Sequence, residues 1–194
     1  MDGTHATVGL APIPFWYLRH GETDWNARGL AQGNIDIPLN ETGREQARAA
    51  AGLLRDRGIA TIVASSLSRA RATAEIIGAE LGLPVAAVDD GLREVRFGVA
   101  EGLPQADWYQ EWLAGAFAPE GGETFAELRA RATAAVNRAT ARPPLVLVVA
   151  HGALFRSLRA AMGLPTDVRT QNAMPIFCAP PPTGQSGWTL EAAG

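Results

Sequence analysis

The chain has 194 residues, the size of one substantial domain, and its 47% hydrophobic and 19% charged composition excludes a disordered, fibrous or low-complexity protein. A net charge of −3 gives no global support for binding nucleic acid or an acidic membrane surface, so any anion site has to be local. All 17 basic residues are Arg. The absence of Lys excludes a Schiff base, a Walker-type lysine and a Ser-Lys dyad, and leaves forked guanidinium donors suited to phosphate or carboxylate.

Residues 1–14 carry no periodic pattern and read as a flexible leader, and residues 15–194 read as a single α/β domain. Phe15 to Leu18 is a short apolar run that ends in Arg19-His20-Gly21, as a buried strand would that delivers polar groups at its C-terminal end. The spacing of Ala47, Ala50, Ala51 and Leu54 predicts a helix from Thr42 to Arg57, capped by Thr42 and stopped by Gly58. Thr61 to Ala64 reads as a strand ending in Ser65-Ser66, and Ser68 to Leu81 as a helix.

Further along, Val85 to Val88 reads as a short strand, Asp107 to Ala114 as an aromatic helix and Glu123 to Ala141 as a long one, stopped by Pro143-Pro144. Leu145 to Val149 is the most strand-like run, followed by His151-Gly152 and a helix from about Ala153 to Met162. Ile176 to Ala179 and Trp188 to Glu191 suggest a terminal hairpin. Alternation of strands and helices predicts a three-layer α/β/α sandwich with a mainly parallel sheet and a small helical lid over about residues 99–122, with ligands beyond the carboxyl ends of the strands.

The single Cys178 excludes an internal disulfide and a Cys-rich metal site, and no basic stretch followed by an apolar run opens the chain, so a cytoplasmic location is expected. No apolar run approaches the about 18–20 residues of a membrane span. An edge strand at Ile176 to Ala179 offers a route to a homodimer.

Three strand ends carry polar groups: Arg19-His20-Gly21, Ser65-Ser66 with Arg69 beyond, and His151-Gly152. Two of the three histidines thus follow the two strongest buried strands, each before a Gly that lets backbone approach a ligand. Arg19, Arg69 and helix N-termini after the strands would hold a tetrahedral dianion. Positive charge nearby keeps an imidazole neutral, the nucleophilic form, so His20 or His151 is a candidate to attack phosphorus. Glu94 is a candidate general acid, with surface pairing to Arg93 and Arg96 as the alternative.

The run Leu18-Arg19-His20-Gly21-Glu22-Thr23-Asp24-Trp25-Asn26 resembles the signature of the histidine phosphatase superfamily, in its phosphoglycerate mutase-like branch. The stretch from Gly33 to Gly43, Ser65 to Ala70 with Thr73-Ala74, Glu94 with Phe97-Gly98 and Glu101-Gly102, Gly122-Glu123-Thr124 and Val149 to Gly152 resemble its later blocks, in family order over about residues 15–160. The resemblance implies that His20 is the nucleophile forming a phosphohistidine, that Arg19, Arg69 and His151 complete the phosphate pocket, and that Glu94 donates the proton. It implies substrate contacts at Asn26, Thr23, Gly152 and Gly21. In the bare sequence, Thr23 reads equally as a cap and Asn26 as a turn residue.

The chain departs from the pattern at Ala100, where the family has a bulkier residue before its Glu-Gly pair. It also lacks the longer, basic insertion that encloses the bisphosphate in cofactor-dependent mutases. The expectation is therefore a phosphatase acting on a small phosphomonoester without metal or organic cofactor. Mutase-type transfer and a non-catalytic phospho-ligand binding module are the alternatives. A metal on His20, His151 and Glu94 is disfavoured by the flanking arginines and the lack of closely spaced ligands. The aromatic run of Trp108, Tyr109, Trp112 and Phe117 is either ordinary helix packing or a lid wall, and as a lid it would favour an apolar leaving group over one with a second phosphate.

Overall fold

The computed structural model describes residues 9–183 and 187–194. In chain order the elements are β1 (Phe15–Arg19), α1 (Asp24–Ala27), α2 (Glu41–Leu54), β2 (Thr61–Ser65), α3 (Ser68–Leu81), β3 (Val85–Asp89), α4 (Asp107–Leu113), α5 (Phe125–Thr140), β4 (Val146–Ala150), α6 (Gly152–Ala161), β5 (Pro175–Ala179) and β6 (Thr189–Ala192). They form one six-stranded sheet in the order β3-β2-β4-β1-β5-β6. The four strands from β3 to β1 run parallel, and β5 and β6 are antiparallel additions.

The period of two along the central strands separates two cores. Phe15 and Tyr17 of β1 and Val146 and Val148 of β4 face α5 and α6, where they meet Ala132, Val136, Leu154, Phe155 and Leu158. Trp16, Leu18, Leu147 and Val149 face α2 and α3, where they meet Ala50, Ala51, Leu54, Ala74 and Ile77. Strands buried on both faces read as unbroken apolar runs, which is why β1, β2 and β4 stood out in the sequence. A third, smaller core under α4 gathers Val95, Phe97, Tyr109, Trp112, Phe125 and Leu128.

Several boundaries differ from the sequence expectation for local reasons. The α2 cap is Asn40, whose side chain accepts the Gly43 N–H, so the helix starts before Thr42. It also ends earlier, at Leu54, and Asp56 just beyond adopts a left-handed φ of 62°. Helix α5 starts at Phe125 because Thr124 caps it in a capping box with Glu127, which releases Glu123 from the helix to pair with Arg131.

Of the leader, residues 1–8 lie outside the described part, and Gly9 to Pro14 are tethered rather than loose. The Asn137 side chain of α5 accepts the Ala11 N–H at 2.8 Å and donates to the Gly9 carbonyl at 3.0 Å, and Leu10 packs on the core below. The terminal hairpin forms, but β5 is not an edge strand. It is paired on one side with β1 and on the other with β6, so Ile176 to Ala179 offer no free edge for a second copy. Among the described residues no helix is long and apolar enough to cross a membrane.

Candidate active site

The neighbours β2, β4 and β1 end side by side, so the three polar strand ends read from the sequence converge. Beyond them lies a cavity of about 320 Å³, lined in part by Arg19, His20, Arg69, Glu94, Asn26 and Gly152. His151 stands behind this wall, fully buried, with its ring centroid 5.2 Å from that of His20.

His20 is 2% exposed and its Nδ1 lies 2.7 Å from the Gly21 carbonyl oxygen. A carbonyl only accepts, so Nδ1 carries the proton and Nε2 keeps its lone pair. Burial, with the charges of Arg69 and Arg19, holds the His20 pKa well below the ordinary imidazole value, which keeps the ring neutral. The same causes, burial first and then Arg69, keep His151 neutral.

His151 is fixed from three directions. The Tyr17 hydroxyl of β1 donates to its carbonyl at 2.7 Å and accepts its N–H at 3.0 Å. Its Nε2 lies 2.8 Å from the Ser65 hydroxyl of β2, which also accepts the Leu67 N–H at 3.3 Å. Its Nδ1 is buried without a hydrogen-bond partner, as are the Nε atoms of Arg19 and Arg69.

Both arginines are held by carbonyls rather than carboxylates. Arg19 donates to Thr170 at 2.7 Å, and Arg69 donates to Ile35 at 2.9 Å and Gly33 at 2.8 Å. Burial lowers both pKa values, that of Arg69 to about 10. Glu94 is the main counter-charge felt by both, with Asp36 and Glu101 adding to it at Arg69, but neither guanidinium makes a direct ion pair with a carboxylate among the described residues, which leaves room for an anionic ligand.

Glu94 does not make the surface pairs that its neighbours suggested. Its Oε2 accepts the Ala153 N–H and its Oε1 the Leu154 N–H, both at 2.9 Å, and Oε1 also takes the Val95 N–H at 3.1 Å. The carboxyl thus caps the start of α6, whose own N-cap residue His151 contributes no side-chain cap. Oε2, with a single amide, is the oxygen with capacity left for a proton.

Of the remaining expected contacts, Asn26 and Gly152 line the cavity. The Asn26 Oδ1 accepts from the Thr23 N–H at 3.3 Å and from the Asn172 side chain at 3.2 Å, which leaves its amide N–H groups for the cavity. Gly152 is tight against Arg19, whose Nε would lie 3.3 Å from a Cβ there. Thr23 and Gly21 do not line the cavity. Thr23 caps α1 and donates to Gln32, and Gly21 lets the chain cross Gly43, whose carbonyl oxygen a Cβ would strike.

The sequence reading missed Arg156 and Arg169 on the cavity wall, while of the aromatic run it offered as a lid wall Tyr109 does line the cavity. Arg156 was accessible to it, since it lies one helical turn after Gly152 on the same face. Arg169 follows from a loop without periodicity, and no sequence signal marks it. These two cations overturn the expectation that the outer pocket is apolar: the lid segment brings no basic residue, but α6 and the loop after it do. The aromatic helix itself is chiefly packing. Trp112 is fully buried and donates to the Glu123 carbonyl at 2.8 Å, Trp108 sits edge-on to Phe97, and Phe117 is exposed.

Among the described residues no three His, Cys, Asp or Glu side chains gather as metal ligands would. Comparison with known proteins gives a match to the model of the histidine phosphatase superfamily (branch 1) over residues 15–175. The chain is 42% identical to the "Uncharacterized phosphatase PhoE" of Bacillus subtilis over 73% of its own length and 72% of that protein. It is 35% identical to the "Probable phosphoglycerate mutase GpmB" of Yersinia pestis, covering 94% and 93% of the two chains. Among solved structures, a mycobacterial glucosyl-3-phosphoglycerate phosphatase complexed with VO3 superposes with a TM-score of 0.79 at 34% identity, covering 93% of this chain and 98% of that one.

Proposed function

Since the chain belongs to the histidine phosphatase superfamily, branch 1, we propose that it is a phosphomonoesterase working through a phosphohistidine on His20, without a metal ion. The observation that carries the reading is that, of the four buried nitrogens without partners among the described residues, three (Arg19 Nε, Arg69 Nε and His151 Nδ1) belong to the residues whose charge acts on His20 or whose ring lies 5.2 Å from it. Orphaned buried donors cost about 1–3 kcal/mol each, and phosphoryl oxygens would satisfy all three.

In the first step His20 Nε2 attacks phosphorus, the P–O ester bond breaks, and the departing alkoxide takes a proton from Glu94 Oε2. Charge on the equatorial oxygens is met by Arg19, Arg69 and His151. In the second step water attacks the phosphohistidine and gives its proton to Glu94, which releases inorganic phosphate and restores His20. The N-terminus of α6 stabilises the Glu94 carboxylate between the two steps.

Water rather than a second substrate is the expected acceptor. No Arg lies between Arg96 and Arg129, so the lid segment has no cation to retain an exchanging bisphosphate. The phosphatase named among its structural relatives favours the same side of the choice. The test is phosphate release from an aryl phosphate in excess chelator. Wild type turns over, His20→Ala is inactive, and Glu94→Gln is least impaired with the best leaving group. Turnover by His20→Ala, or loss of wild-type activity with chelator, overturns the reading.

A further inference from the structure

The antiparallel ladder between β5 and β1 stops at the edge of the site. Its last pair is Leu18 with Pro175, and a proline has no N–H to carry the pairing further. Arg19 and His20 therefore project beyond the ladder on that side, and the loop before β5 bonds them instead. The Thr170 carbonyl accepts the Arg19 guanidinium at 2.7 Å, the Ala173 N–H donates to the Arg19 carbonyl at 2.9 Å, and the Asn172 side chain donates to the His20 carbonyl at 2.9 Å.

Ala173 takes a left-handed φ of 49° to make this turn, a conformation that L side chains rarely adopt, and it is buried in the core that contains Trp16 and Leu18. A residue persists in that region only when its surroundings over-determine it. The bond to Arg19 on one side and the core on the other thus hold the loop in the shape that presents Asn172.

Asn172 has a second contact, with Asn26 Oδ1 at 3.2 Å. The chemistry of the partners fixes which way both amides point. The His20 carbonyl only accepts, so the Asn172 atom facing it is Nδ2, and the other hydrogen of that NH2 group is left for Asn26. Asn26 must then offer its oxygen, as the Thr23 N–H at 3.3 Å also requires. The NH2 group of Asn26 makes no hydrogen bond among the described residues, and Asn26 lines the cavity. Turned the other way, the same amide would set a carbonyl oxygen against phosphoryl oxygens.

Resting on the phosphomonoesterase reading, we infer that Asn172 is a positioning residue: anchored on the His20 carbonyl, it turns Asn26 so that an amide NH2, not an amide oxygen, meets the phosphate. Asn172 is not part of the cavity wall, so its effect passes through Asn26. The anchor also ties the orientation of Asn26 to the seat of the nucleophile, whose N–H is held by the Ala150 carbonyl of β4 at 3.0 Å.

A double-mutant cycle between Asn172→Ala and Asn26→Ala tests this, read as the Kd for inorganic phosphate by calorimetry and as kcat/KM on an aryl phosphate. Alone, Asn172→Ala is expected to weaken phosphate binding by about 5-fold to 20-fold, the loss of roughly one hydrogen bond to a charged group. In an Asn26→Ala background the same change should alter the Kd by less than about 2-fold, and kcat/KM should show the same coupling. Asn172→Leu, which keeps the volume without the amide, should behave as Ala does. A merely structural role would cost the same with or without the Asn26 amide, so equal weakening in both backgrounds overturns the assignment, as does unchanged binding in both Asn172 variants. The binding measurement needs no turnover. If wild type shows the coupling in phosphate binding but hydrolyses no aryl phosphate, the phosphatase reading fails and the role of Asn172 stands; if it neither binds nor hydrolyses, both fail.

Discussion

Arg131 of α5 fastens the backbone of Glu94, donating to its carbonyl at 3.3 Å. The same guanidinium reaches the carbonyls of Gly91 and Arg93 at 2.9 and 2.8 Å and forks onto the Glu123 carboxylate at 2.9 and 2.7 Å. All five of its N–H groups are thereby used, three of them on the segment that delivers Glu94.

Removing that clamp should affect stability and chemistry together. Arg131→Met is expected to destabilise by about 2–4 kcal/mol, because the buried Glu123 carboxylate is left without its partner. It should also lower kcat more than it raises KM, since Glu94 rather than the phosphate pocket loses its support. Arg131→Lys, which keeps the charge and lacks the fork, should recover little. Denaturant titration and steady-state kinetics on both variants give the answer, and full recovery by Lys would reduce the clamp to a charge effect.

Ser65 is expected to set the tautomer of His151. Its hydroxyl accepts the Leu67 N–H, so its own proton is available to His151 Nε2, leaving the proton of the imidazole on the unpartnered Nδ1. Ser65→Ala should cost about tenfold in kcat, roughly one hydrogen bond in the transition state, and Ser65→Thr should recover most of it. An unchanged pH–rate profile and kcat in Ser65→Ala would mean that the hydroxyl only packs.

Stability should fall on mild acidification. Both site histidines have folded pKa values well below the ordinary one, so their contribution is complete above about 6.5, the unfolded value. As pH drops below that, the unfolded chain binds protons that the folded one refuses, and stability is lost with a slope approaching about 1.4 kcal/mol per pH unit for each histidine until the folded pKa is reached. Unfolding free energies at pH 7.5 and 5.5 should show the drop, and His20→Asn should show a shallower one. A pH-independent value over that interval contradicts the buried neutral state of both rings.

Gly21 and Gly52 make a matched pair for the backbone crossing. A Cβ at Gly21 would overlap the Gly43 carbonyl, whereas one at Gly52, exposed on α2, meets nothing within 4 Å. Gly21→Ala should destabilise by about 1–3 kcal/mol or more, and Gly52→Ala should stabilise by about 0.5–1 kcal/mol. Thermal unfolding of the two variants separates a structural role for Gly21 from a ligand contact. A folded Gly21→Ala of unchanged melting temperature but weakened phosphate binding would restore the contact.

What was legible in the sequence follows from where the information is local. The strands β1, β2 and β4 are buried on both faces, so their apolar runs and the polar residues at their ends could be read directly, and with them His20, Arg19, Arg69 and His151. Antiparallel pairing of β5 with both β1 and β6 is non-local, and a short apolar run cannot say which of its edges is covered. Arg156 and Arg131 are ordinary helical arginines in the sequence. Their importance comes from what the tertiary fold places beside them, Tyr109 in one case and the carbonyls around Glu94 in the other. Thr23 shows the reverse, since a residue within the signature serves as the cap of α1.

The most direct test of the central claim is capture of the covalent intermediate. Wild type and Glu94→Gln are mixed with a good aryl phosphate, quenched in alkali within the first turnovers, and digested for mass spectrometry. The account predicts an alkali-stable, acid-labile phosphoryl group on the peptide containing His20, absent in His20→Ala. Steady turnover with an unmodified His20 peptide at every quench time, or a phosphoryl group on another residue, contradicts it.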